Sequence, residues 1–103
     1  MISEADWKHF KLVKASTLDS CCKQVLDDVR EGLDDNSLSN HQKYQYLYRL
    51  IENGEKRITT IFDYNSRSKA MLQLALMKSE GLLEPQHISG FSSELQEFIK
   101  NRE

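Results

Sequence analysis

The adjacent thiols Cys21 and Cys22 are the only cysteines of this sequence and could do chemistry as a redox pair or as half of a metal site. Consecutive helical residues diverge by about 100°, so the two cannot bridge each other without breaking the helix that carries them. Zinc would need further ligands at short, regular intervals, and no His or third Cys stands at such a spacing. His9, His41 and His87 have no ligand-type residue three or four positions on, so they read as surface or capping histidines. Asp34, Asp35 and Asn36 raise the question of calcium. An EF-hand loop requires glycine at its sixth position and a carboxylate at its twelfth, and counting from Asp34 those places hold Ser39 and Gln45. Asp27 and Asp28 point to different sides of a helix and read as solvated charge. The sequence contains no glycine-rich phosphate loop, zinc-protease motif or nucleophile elbow. No catalytic residue, cofactor or metal is assigned. An enzyme or small-ligand binder with a pocket between helices stands only as a second alternative.

Nucleic acid is the first alternative. Arg67 and Lys69, beside Tyr64 and Asn65, form a small basic patch that a dimer would double. Against it, the net charge is −2 and the C-terminal segment SSELQEFIKNRE sets three glutamates against one lysine and one arginine. The same charge balance gives no pull toward anionic lipid, and no apolar run nears the roughly 20 residues of a membrane span. MISEADWKHFK lacks the apolar centre of a secretory signal, so a cytoplasmic protein is expected.

The elements that must carry these residues are helical. At 103 residues the chain has the size of one domain, 1–103, and one proline with four glycines argues against a β-sandwich. Ser3 is positioned to cap a first helix, with Asp6 as reciprocal partner and Ile2 and Trp7 as a staple. Trp7, Phe10, Leu18, Cys21, Cys22, Val25 and Val29 then keep one phase to about Gly32, with Leu12 and Val13 off the stripe. Ser39 and Gln42 form a second capping box. Tyr44, Leu47, Leu50, Ile51, Ile58, Ile61 and Phe62 continue as a stripe through Gly54. The preserved phase favours an unbroken helix in which Gly54 admits a neighbouring backbone. Arg49, Glu52, Lys56 and Asp63 form an ion ladder on its other side. Asn65 or Ser66 caps a third helix, Gly81 ends it, Pro85 opens a single turn, and Ser92 or Ser93 caps a last short helix. The expected fold is an all-α bundle of about four helices: two long, one apolar on two sides, one short at the C-terminus.

The two-sided helix carries the functional expectation. Leu72, Ala75, Leu76 and Ser79 share one face, while Ala70, Leu74 and Met77, flanked by Met71, share the other. Leaving Met71, Leu74 and Met77 wet would forgo roughly 5–8 kcal/mol. The expectation is that one face closes the core and that Ala70, Met71, Leu74 and Met77, with Tyr46, Tyr48 and Tyr64, meet a partner. That partner would be a second copy in a homodimer or another protein. A small, soluble, non-catalytic interaction protein follows.

Overall fold

The computed structural model describes residues 2–102, and these are all-α, with no strand among them. Helix α1 spans Glu4–Leu33 and α2 spans Asn40–Phe62. A single 3-10 turn, Arg67–Lys69, leads into α3, Ala70–Ser79. Two short helices follow, α4 over Pro85–Ser89 and α5 over Ser93–Lys100. The Pro85 turn is thus a fifth helix beside the four principal ones.

The helix starts follow the capping residues. Ser39 and Gln42 exchange side-chain and backbone hydrogen bonds at the head of α2. At α1 only half of the expected box forms. The Ser3 hydroxyl accepts from the Asp6 N–H, but the Asp6 carboxylate turns away to Ser92. It accepts the Ser92 N–H at 2.8 Å and its hydroxyl at 2.6 Å, tying the start of α1 to the start of α5. A buried carboxylate is better served by two donors across the fold than by one backbone N–H of its own turn. Ser66 precedes the 3-10 turn without a side-chain cap, and Asn65 accepts instead from Lys14. Gly81 closes α3 at φ 70°, with the Leu82 N–H returned to the Met77 carbonyl.

Helix α2 runs unbroken through Gly54. A Cβ built there would lie 2.7 Å from Val25 Cγ2, so the missing side chain is what admits α1. Gly32 repeats the device from the other helix, where a Cβ would stand 2.9 Å from the Tyr46 ring and 3.0 Å from Leu47. Because the later residue of α1 meets the earlier residue of α2, the two helices are antiparallel.

The molecule measures 52 × 23 × 22 Å, its length set by α1, which at 30 residues extends about 45 Å. The core occupies one end. Among the described residues, every fully buried apolar side chain of α1 lies at or before Cys21 and every one of α2 at Ile61 or Phe62. Ala70, Leu74, Met77, Leu82, Phe91, Leu95 and Ile99 complete this head. Arg57 marks its edge, donating to Glu80 at 2.6 Å and to Gln24 at 3.0 Å. Beyond that pair α1 and α2 continue alone as a two-helix arm, closed by residues 34–39.

Two expectations about faces are corrected here. Val13, placed off the α1 stripe, is buried at 2% exposure, because the head wraps α1 on a second side. Ala70, Leu74 and Met77, proposed to meet a partner, have no exposed surface at all, and Met71 packs against the core half-buried. They form the inner face of α3, joined by Gln73. It is the opposite face, with Leu72, that looks outward.

Candidate interaction surface

The surface that the sequence spacing did not single out lies on the arm. A hairpin of two helices shelters only the seam between them, and here even Val25, Val29, Leu47 and Leu50 are half-buried. Beside that seam Leu26, Leu33, Tyr44, Tyr48 and Ile51 stand between 50% and 73% exposed. Their placement is not scattered. Counting about 100° per residue from Val25, which faces Gly54, Cys22, Val29, Leu33 and Leu26 fall between about 40° and 100°. The same count from Gly54 carries Ile58, Ile51, Tyr44 and Tyr48 to between about 40° and 120°. In antiparallel helices, equal rotation about each N-to-C direction turns toward the same side of the pair. Residues of both helices therefore converge on one face of the arm.

Helix α3 and the turn after it lie on the other side. Thr17 touches the Met77 sulfur at 3.7 Å and Arg57 reaches Glu80, and both positions sit on the opposite flank by the same count. The apolar face is left open along the arm. A cleft of about 630 Å³ near the arm's tip has a mixed lining, with Glu31, Asp35, Gln42, Gln45 and Arg49 beside Leu38 and Tyr46.

Tyr46 and Tyr48 both lie on the arm and both are exposed, but only Tyr48 belongs to the apolar face. Tyr46 packs over Gly32 on the far side. Tyr64 lies at the head, away from both, with the Lys69 ammonium 5.4 Å from its ring centroid. Arg67 is engaged inside the protomer, bonded to Glu4 at 2.7 Å and to the Ile2 carbonyl. Arg67 is thus held by Glu4 and Ile2, while Lys69 lies over the Tyr64 ring. Lys14, on the α1 stripe, crosses to the Tyr64 carbonyl and Asn65. Burial pushes its ammonium below the usual lysine range, with the Asp63 carboxylate opposing.

Cys21, His9 and His87 serve the fold. Burial raises the Cys21 thiol above its ordinary value, which keeps it protonated and poorly nucleophilic. His9 Nε2 donates to the His87 carbonyl at 2.8 Å, and its ring meets Phe91 edge-on. One pairing resembles a catalytic dyad: Ser16 Oγ stands 3.3 Å from His87 Nε2. Its polarity is wrong for catalysis. The Glu84 N–H donates to His87 Nδ1 at 3.0 Å, so in the neutral ring the proton is on Nε2. His87 is then a donor toward Ser16, where a general base would have to accept. Among the described residues no three His, Cys, Asp or Glu side chains converge as a metal site, and no helix is long and apolar enough to cross a membrane. No family model, curated protein or solved structure matches this chain.

The surface residues that periodicity missed are Leu26 and Leu33, and it did not show that Ile51 stays exposed. A signal was present: Leu26 and Leu33, and likewise Tyr44, Ile51 and Ile58, recur every seven residues beside the seam positions.

Proposed function

We propose that the protein is a non-catalytic helical interaction module, working in the cytoplasm as a homodimer that pairs through the apolar face of its arm. The observation that carries this is the row Leu26, Leu33, Tyr44, Tyr48 and Ile51, gathered from two helices onto one uncovered face. Their exposed fractions amount to roughly 600 Å², at the top of what a monomer normally leaves in one patch and near the 800 Å² per partner of a stable interface. Two such hairpins laid face to face form a four-helix bundle, the arrangement in which each helix buries two flanks. Tyrosine in the row suits it, being large, rigid and amphipathic.

The test is sedimentation equilibrium on the wild type and on Ile51→Glu from roughly 10 µM to 1 mM, spanning micromolar to millimolar affinities. The wild type is expected to dimerise, and Ile51→Glu to weaken the dimer more than about 100-fold by placing a charge at the patch centre. Circular dichroism should show the variant still helical. A wild type that stays monomeric throughout would sink the proposal.

A further inference from the structure

We infer that the two copies pack with their arms pointing the same way, each α1 lying across the partner's α2; this rests on the dimer proposed above. A face-to-face pair of hairpins has two twofold arrangements. With the axis along the arm, α1 of one protomer lies over α2 of the other. With the axis across the arm, each helix lies over its own copy, reversed.

The charges bordering the apolar face distinguish the two. Along the arm the α1 border is cationic, Asp19 lying back beside the head: Lys23 and Arg30 stand next to the row, and the Asp27 carboxylate that bonds both, at 2.6 and 3.0 Å, lies further round. On α2 the order is inverted. Glu52 and Glu55 stand next to the row, and Lys56, 3.8 Å from Glu52, lies further round. Each helix thus offers the opposite sign to the interface edge.

Register decides the rest. Val25 is level with Gly54 and Gly32 with Leu47, so Glu52 sits at a height between Lys23 and Arg30. In the same-direction dimer the partner's Glu52 drops between those two cations, and its Glu55 lies beside Lys23. In the reversed dimer the axis passes near the middle of the row, at the level of Arg30, and sets Arg30 against its own copy. Like charges directly opposed disfavour an arrangement, and opposite ones at a rim select it. Helix α3 does not obstruct the same-direction pairing, because it lies on the flank facing away.

The experiment measures a distance and a charge swap. A nitroxide is attached at exposed Ala5 through a ketone-bearing residue, leaving Cys21 and Cys22 untouched, and pulsed dipolar spectroscopy is run on the dimer. Same-direction arms place the labels about 20–30 Å apart across the bundle, whereas reversed arms place them about 75 Å apart. In sedimentation, the Lys23→Glu, Arg30→Glu chain is expected to dimerise about tenfold more weakly. Mixing it with a Glu52→Lys, Glu55→Lys chain is expected to restore a heterodimer interface. A dimer with the long distance overturns the arrangement and leaves the self-association standing; a monomer overturns both.

Discussion

Replacing Gly54 with alanine sets two effects of known sign against each other. Helix propensity favours the change by about 1 kcal/mol, since glycine inside a helix carries excess unfolded-state entropy. Packing opposes it: the new Cβ would stand 2.7 Å from Val25 Cγ2, about 1 Å inside normal carbon–carbon contact. Valine holds one χ1 rotamer in a helix, so its methyl cannot swing aside, and relief requires the two helices to part. Overpacking of this kind costs about 1–3 kcal/mol, which leaves Gly54→Ala destabilised by about 1 kcal/mol. Val25→Ala removes the obstacle. In that background the same substitution should stabilise by about 0.5–1 kcal/mol, a coupling of roughly 2 kcal/mol across the cycle. Urea unfolding of the four proteins, followed by circular dichroism at one fixed concentration, measures it. If Gly54→Ala stabilises equally in both backgrounds, the helices do not meet there. The register that aligns the apolar face would then be wrong as well.

The head carries two further expectations. Burial pushes the Asp6 carboxyl up, but the Ser92 hydroxyl and N–H, with Ser3 and His9 nearby, bring it net below the ordinary aspartate value. Its contribution is therefore whole above the unfolded value near pH 3.9 and fades as pH falls through the lower folded value. Asp6→Asn should cost about 1–3 kcal/mol at neutral pH and progressively less below about pH 4, read from urea midpoints across pH. A pH-independent difference would contradict the Asp6–Ser92 link. Gln73 is fully buried, and its Nε2 donates to the Ile61 carbonyl at 3.0 Å and the Tyr64 carbonyl at 2.9 Å, closing the end of α2. Gln73→Leu should cost about 1–2 kcal/mol in chemical denaturation, the lower part of the range because the Gln73 Oε1, itself without a partner, goes too. No loss would mean the two bonds add nothing.

What the sequence disclosed was local. Ser3, Ser39, Gly81, Pro85 and Ser92 mark element boundaries through interactions within a few residues, and the uninterrupted phase around Gly54 already told one helix from two. Faces were harder to read. Periodicity gives the width of an apolar arc but not which half meets the core, and α3 has two such halves; the choice of Ala70, Leu74 and Met77 as the inner one was made by α1 and α2 from outside. Asp6 shows the same limit, its partner Ser92 lying 86 residues away. The open face of the arm was legible only as seven-residue repeats of Leu26 with Leu33 and of Tyr44 with Ile51. These became a surface once Val25, Gly54, Gly32 and Leu47 fixed how the two helices meet.

The arm is also the part of this fold that lies outside the buried apolar cluster. The head closes at the level of Gln24, Arg57 and Glu80, and a connection placed just beyond that level would leave its buried residues where they are. Extending both helices past it orders many more residues, at about 1–2 kcal/mol of backbone entropy each. The return within one chain is a half-sheltered seam. Isolated helices of this length are marginal in water and draw their stability from a packed face. Here each of the two helices has one packed edge and one bare apolar flank, and both bare flanks lie on the same side. A monomer would gain by making Leu26, Leu33, Tyr44, Tyr48 and Ile51 polar, since each departs from the surface pattern that keeps a hairpin from sticking to its neighbours. Their coincidence on one face, bordered along the arm by cations on one helix and carboxylates on the other, is what the proposed dimer interface requires.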